Sequence, residues 1–234
     1  MPRNSYSATA IRRGRGADHR EKGIMYEPSD VVTSEAEIRA VIPGTIERQV
    51  RKVIDHIDDH VRIWIEHSPF MTMATYSSTG AIDVSPKGDP PGFVKVLDTK
   101  TLAIPDRPGN HRFDSFLNIL ETGRVGLMFL VPNRLEVVRV SGRAQVVRDA
   151  ALRETMAVDG KIPDFAIVVY VEEAFYHCGK AVIRSALWEP DKAISVENLP
   201  TYGRALKDHG ALETPLEEVE RLTQDNLKYR LYDE

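Results

Sequence analysis

Three short segments carry most of the groups able to do chemistry in this 234-residue chain. The first is Asp83-Val84-Ser85-Pro86-Lys87-Gly88-Asp89. Lys87 offers an ammonium group, and Gly88, having no Cβ, lets a ligand approach the backbone closely. A plain surface turn is the other reading. The second runs from Ile104 through Pro105, Arg107, Asn110 and Arg112 into the apolar-periodic stretch Phe113–Glu121. It reads as a strand end, a tight polar loop and the start of an amphipathic helix. A helix start presents unpaired N–H groups and the positive end of the macrodipole. With Arg107, Asn110 and Arg112 beside it, such a start suits a phosphate. The alternative is a capped surface helix with solvated arginines. The third segment gathers His177, Cys178, Lys180, Arg184, Ser185 and Trp188 at a strand-to-helix junction. Lys180 and Arg184 are four apart and share a helix face. They repel unless an anion lies between them or both point to water.

No nucleophile triad is legible. His177 and Cys178 are adjacent on a strand and so point to opposite faces. Cys178 reads as a buried, inert thiol rather than a nucleophile. His56 and His60 have a spacing that could take a metal ion. Asp55, Asp58 and Asp59 surround them and no motif supplies a third ligand, so a solvated face is expected and no metal site. Walker and Rossmann glycine patterns are absent from the sequence, as are carboxylates paired for hydrolysis. The residues alone reach a small barrel that binds an anionic, phosphorylated ligand.

The elements that must position these groups follow from periodicity. Ser34-Glu35-Ala36-Glu37 is a capping box opening a short helix, which Pro43-Gly44 ends. Apolar residues from Ile46 to Ile65, in steps of three and four, predict one amphipathic helix to about Glu66. The period then becomes two. Strands are expected at Phe70–Tyr76, Ala81–Ser85, Phe93–Leu97, Thr101–Ile104, Val125–Val131, Leu135–Val147, Phe165–Val171 and Ala174–Cys178, the first four as two hairpins. Pro86–Gly92 reads as a rigid loop. On Leu135–Val147, Glu136, Val138, Val140, Gly142, Ala144 and Val146 fall on a mostly core face; Val137, Arg139, Ser141, Arg143 and Gln145 fall on a polar one. Gly123 is placed as a helix C-cap. A short helix capped by Asp149, another at about Lys180–Leu187, and two polar helices to residue 234 complete the chain. Six or seven strands in sequential hairpins suit a closed or partly closed antiparallel barrel.

Composition narrows the class. Hydrophobic residues are 42% and charged residues 28%, with a formal net charge of -4. That is an ordinary globular balance, without the basic excess of a nucleic-acid binder. One cysteine excludes a disulfide framework and fits a reducing cytoplasm. The apolar runs are strand-sized, so no membrane span is expected. Residues 1–30 are basic and aperiodic, which predicts a flexible tail; the first sixteen lack acids, a loose match to a transit peptide. The expected organisation is that tail, a domain over 31–190, and a helical extension over 191–234.

Taken in order, the three segments resemble the pyridoxamine 5'-phosphate oxidase-like family of FMN-binding split barrels. The resemblance narrows to an uncharacterised bacterial subgroup. It is carried by Ser-Pro-Phe at 68–70, Asp-Val-Ser-Pro-Lys-Gly-Asp at 83–89, Ile-Pro-Asp-Arg-Pro-Gly-Asn at 104–110, His-Cys-x-Lys-Ala at 177–181 and Arg-Ser-x-Leu-Trp at 184–188. It spans roughly residues 30–190. It implies a mainly β fold with peripheral helices, a six-stranded antiparallel split β-barrel, and an obligate homodimer with FMN at the subunit interface. Val84, Ser85 and Lys87 would then run along the flavin ring. Pro105, Arg107, Asn110 and Arg112 would hold ribityl and phosphate. Lys180, Arg184 and Trp188 would come from the partner subunit. The implied activity is oxidation or reduction of a small-molecule substrate by hydride transfer at flavin N5, in the cytoplasm. No catalytic residue is assigned, although Lys87 could stabilise negative charge at the reduced ring.

The chain also departs from the oxidase proper. Its pyridoxamine phosphate-holding Arg and Ser have no match here, and the two C-terminal helices are not its ending. Val137 stands at a polar flavin-contacting position, and His111 stands where the subgroup often has Arg. Vitamin B6 oxidation is therefore not the expected reaction, while flavin binding is. The rival reading is a non-catalytic cofactor-binding protein for flavin, deazaflavin or heme, the last needing a histidine such as His177 or His111 as iron ligand.

Overall fold

The computed structural model describes residues 25–42 and 44–233. Most of the tail expected over residues 1–30 therefore lies outside the described residues. The chain divides into two compact units. The first joins the described part of Met1–Gly44 to Pro200–Arg221; the second comprises Thr45–Leu199 and Leu222–Glu234.

The first unit is helical. It holds α1 (Glu35–Val41), α7 (Tyr202–Gly210) and the opening of α8 (Leu216–Tyr229). The capping box is present: the Ser34 hydroxyl accepts from the Glu37 amide at 3.3 Å and donates to its carboxylate at 2.5 Å. Thr201 caps α7 in the same way and donates to Glu220 at 2.6 Å.

The second unit holds α2 (Glu47–Arg51), α3 (Asp59–His67), β1 (Phe70–Tyr76), β2 (Ile82–Gly88), β3 (Lys95–Val96), β4 (Thr101–Pro105) and α4 (Asp114–Thr122). It continues with β5 (Arg124–Leu130), β6 (Val137–Val147), α5 (Ala150–Glu154), β7 (Ala166–His177) and α6 (Lys180–Ser185). The strands form one antiparallel sheet in the order β2-β1-β5-β6-β7-β4-β3. The two-residue β3 makes the count seven rather than six, and the ladder does not close by hydrogen bonds. One core nonetheless collects residues from β1, β4, β5, β6 and β7, among them Met71, Ile104, Phe129, Val140 and Val169, so the sheet curls around it. Helices α3 and α4 plug that core with Val61, Trp64, Ile65, Phe116 and Ile119. The Trp64 indole N–H donates to the Phe129 carbonyl at 3.3 Å, so even this large side chain is satisfied where it is buried. The two faces expected for β6 are present: Val138, Val140, Gly142 and Ala144 are buried, while Arg139, Arg143 and Gln145 are exposed.

Three expectations are corrected. The single helix to Glu66 is two helices with a break over residues 52–58. Inside the break Ile54 exchanges both backbone hydrogen bonds with Ala174 of β7, at 3.0 and 2.7 Å. The Asp58 carboxylate then caps α3 through the Val61 amide at 2.9 Å. A sheet partner thus replaces helix bonds that periodicity alone would continue. The strands expected at 165–171 and 174–178 are one, β7. Its Glu172 is the extra residue of a bulge opposite Ser141/Gly142, turned outward between Arg124 and Arg143. The loop expected from Pro86 begins later, because β2 is an edge strand and an edge tolerates proline.

Within the bulge, a Cβ on Gly142 would collide with the Tyr170 carbonyl, whereas one on Gly126 would meet only the Ala74 methyl at 4.0 Å. Gly142→Ala is expected to lower the unfolding free energy by about 3 kcal/mol in urea melts, and Gly126→Ala to leave it nearly unchanged. Across the break, Asp55 bonds the Lys100 ammonium at 2.8 Å and His56 at 3.0 Å. Chiefly through Lys100, its carboxyl falls from 3.8 to about 2. This contact is fully present above pH 3.8 and is lost as pH falls through about 2. Carboxyl NMR should find that low value, and Lys100→Met should move it back toward 3.8.

Candidate functional site

Alternation along β2 decides what faces inward. Asp83, Ser85 and Lys87 are half-buried, and Ile82, Val84 and Pro86 between them are exposed on the outer face. The strand from Asp83 to Lys87 forms one wall of a cleft of about 190 Å³. The loop residues Asp106, Arg107, Gly109, Asn110 and His111 form the second wall, and Phe113–Phe116 at the start of α4 form the floor.

A polar stripe on α4 aims that helix. The Ser115 hydroxyl donates to Asp83 at 2.7 Å, the Asn118 amide to the Thr75 hydroxyl at 3.0 Å, and the Thr122 hydroxyl to the Tyr76 carbonyl at 3.1 Å. These positions, three and four apart, lie on one helix side. They pin α4 to the β1–β2 hairpin and point its N-terminus into the cleft. Glu121 adds two bonds from Ser78, amide and hydroxyl, both at 2.8 Å, which lower its carboxyl below the ordinary value. The entry to the helix is unusual. His111 and Phe113 both have φ of 56°, a left-handed conformation that costs a non-glycine residue energy. No side chain caps α4, because Phe113 occupies the cap position. The Asn110 side-chain oxygen Oδ1 accepts from the Arg112 amide at 3.1 Å instead, closing a small turn ahead of the helix.

The charges are unequally engaged. Arg107 donates Nε to Asp89 at 2.5 Å and Nη2 to the Met156 carbonyl at 2.8 Å. Its side chain is 16% exposed and that of Asp89 is 1%. Arg112 donates to Asp114 at 2.7 Å on the surface, and that bond, with Asp83 farther off, raises its already high pKa. Lys87 differs: among the described residues its ammonium has no hydrogen-bond or ion-pair partner.

Of the ten residues singled out from sequence, Val84, Ser85, Lys87, Arg107 and Asn110 line this cleft. Pro105 is buried at the end of β4, and Arg112 turns away to Asp114. Lys180, Arg184 and Trp188 lie elsewhere. Pro105 pairs with Ala166 at one end of β7, whereas α6 follows His177 at the other end. Twelve residues of strand separate them, roughly 35 Å along the chain. Trp188 donates to the Arg134 carbonyl at 2.8 Å. Cys178 is exposed, not buried, because it lies just past the last paired residue of β7.

A model of the pyridoxamine 5'-phosphate oxidase family matches residues 57–178, more than half of the chain. The chain belongs to this family. The match takes in β1 to β7 and both cleft walls. No curated protein matches the chain. Among solved structures, HupZ of Group A Streptococcus is 20% identical, with a TM-score of 0.41 over 51% of this chain and 93% of that one. A candidate pyridoxamine 5'-phosphate oxidase from Lactobacillus delbrueckii is 21% identical, TM-score 0.41, over 52% and 95%. HutZ, the heme storage protein from Vibrio cholerae, is 14% identical, TM-score 0.37, over 52% and 94%. Likeness at this level transfers neither ligand nor activity.

Asp83, Phe113, Asp114 and Ser115 line the cleft without having been singled out as site residues, and His111, named only as a candidate heme ligand, lines it too. Asp83 was findable, since it shares the period-two row of Ser85 and Lys87. Ser115 was not, because its role depends on where α4 docks. The engagement of Arg107 by Asp89 has no sequence signal at all.

Removing one partner of a buried ion pair strands the other charge. Asp89→Asn should therefore lower stability by about 3 kcal/mol in urea melts. Asp114→Asn, opposite the exposed Arg112, should leave the melt where it was.

Proposed function

We propose that this protein binds FMN in the cleft between β2 and the start of α4, and acts as an oxidoreductase on a small substrate. One observation carries the reading: Lys87, a half-buried cation with no partner among the described residues, faces an uncapped helix start across a cleft of this family's fold. A half-buried cation without a counter-charge has lost part of its hydration, and an anionic ligand offsets that loss.

The donor set suits such a cofactor. The first-turn amides of α4, the Asn110 side chain and Arg112, once released from Asp114, are phosphate donors. Exchanging an exposed ion pair for a phosphate costs little. Ser85 and Lys87 supply a hydroxyl and an ammonium beside them on β2. Arg107 forms a wall, with two of its nitrogens held by protein groups. A bound flavin would supply hydride transfer at N5. The protein would orient it and stabilise negative charge on its polar edge through Lys87.

A homodimer is part of the proposal. The cleft is smaller than the roughly 300 Å³ at which pockets begin to enclose a drug-sized ligand. Its missing wall is supplied in this reading by Lys180, Arg184 and Trp188 of a second copy, which a single chain keeps remote. The outer face offers a surface for that copy. Ile82 is 77% and Val84 61% exposed, beside a mainly apolar hollow of about 440 Å³ over β1, β2 and β5. No helix among the described residues is long and apolar enough to cross a membrane. We place the protein in the cytoplasm, where an exposed lone thiol such as Cys178 stays reduced.

The purified protein should show two visible flavin bands and release free FMN on denaturation. Lys87→Ala should weaken FMN binding about tenfold, the worth of one charge-assisted hydrogen bond, and slow reduction of the bound cofactor. A Soret band instead would turn the reading to heme. A colourless protein that refuses added FMN would defeat it.

A further inference from the structure

Arg107 stands between the cleft and a second cavity of about 210 Å³. That cavity is lined by Pro108, Lys161, Pro163, Tyr232 and Asp233, among others. Its contents are unusual in one respect. The segment that follows α8 is polar and exposed for most of its length, yet Tyr232 enters the protein here. Its hydroxyl donates to Asp89 Oδ1 at 2.5 Å. The other oxygen of the same carboxylate takes Arg107 Nε at 2.5 Å. The guanidinium also sits over the Tyr232 ring, 5.5 Å from its centroid. One residue farther, Asp233 pairs with Lys161 at 2.5 Å. The bond to Asp89 also raises the Tyr232 phenol above its ordinary pKa, so the hydroxyl stays a donor across the physiological range.

These contacts form a closed set. Asp89 is 1% exposed and has both carboxylate oxygens filled, one by Arg107 and one by Tyr232. Arg107 in turn has Nε on Asp89, Nη2 on Met156, and a ring over its face. Its loop leads within a few residues to Asn110, His111 and the uncapped start of α4. That loop passes through left-handed residues at 111 and 113, and the Asn110 side-chain oxygen accepts from the Arg112 amide within it. A side chain anchored at Arg107 thus limits where Asn110 and the helix start can lie.

We propose that Tyr232 is a positioning residue for the anion-binding loop: through Asp89 it fixes Arg107, and Arg107 fixes the loop at 105–113. This rests on the flavin reading only for the ligand concerned. The latch itself is a statement about the protein alone. In its ligand-free form the segment after α8 would hold the loop ready, and releasing the segment would loosen the site without touching it.

The test is amide hydrogen exchange on the ligand-free protein, paired with titration by FMN and by inorganic phosphate. Tyr232→Phe keeps the ring and removes the hydroxyl. Residues 105–113 should exchange several-fold faster, while β5 and β6 keep native protection. FMN affinity should fall about fivefold at a temperature well below the melt. In an Arg107→Met background, Tyr232→Phe should add no further loss, because the route through Arg107 is already cut. Asp233→Asn should act in the same direction, more weakly. Unchanged exchange at 105–113 overturns the latch, whatever the ligand does. Exchange that rises throughout the sheet, or losses that simply add in the double variant, show a structural anchor only and equally overturn it. If the native protein takes up neither FMN nor phosphate, the flavin reading fails, and exchange at 105–113 alone decides the latch.

Discussion

The ion pair between Asp89 and Arg107 is the contact on which the geometry of the cleft depends. The hydrogen-bond ladder leaves the sheet open, with β2 at one edge and β3 beside β4 at the other. Asp89 lies just past β2, and Arg107 just past β4. Their bond joins the two margins with side chains where backbone does not. A buried pair of this kind is a poor source of net stability, because desolvating two charges offsets most of their attraction. Its value is directional. Both carboxylate oxygens and two guanidinium nitrogens are satisfied in one arrangement, and any slip strands a charge. That constraint brings the Ser85–Lys87 row opposite the loop.

Helix α4 supplies the second constraint. Its apolar side, with Phe116 and Ile119, enters the common core. Apolar contact is non-directional and would tolerate rotation of the helix. The polar stripe of Ser115, Asn118 and Thr122 removes that freedom, because Asn118 and Thr75 are buried and each needs its partner. The helix start is thereby held at the mouth of the cleft, and the turn before it is forced through two left-handed residues. Strain of this sort persists only where surrounding structure enforces it. Here the enforcing parts are the stripe on one side and Arg107 on the other.

The cleft is therefore well defined on two sides and open on the third. Belonging to the pyridoxamine 5'-phosphate oxidase family gives it a precedent in kind, not a substrate. The cations of the third segment stand apart, at the far end of β7. The outer face of β1, β2 and β5 carries apolar side chains that one chain leaves in solvent. In the homodimer proposed above, one second surface would meet both.

Much was legible in the residues alone. Period-two runs located the strands, because a sheet with one buried face must alternate. Ser34, Asp149 and Gly123 marked helix ends, because orphan backbone groups need those residue types nearby. The residues also singled out Lys87 on β2 and Asn110 in the polar loop before α4, and the structure brings both to one cleft. What the sequence could not determine were choices between local structures of similar energy. The helix broke at 52–58 because Ile54 found Ala174, a partner distant in sequence. Two strands merged because a bulge at Glu172 kept the register on both sides. Arg107 lines the cleft but is held there by Asp89, and Tyr232 joined them from 143 residues away. Local order follows from short-range sterics and capping, which the residue types specify. The partners of charged and polar groups are settled only when folding brings distant chain together, because a buried charge takes whichever satisfied geometry the packed core leaves open.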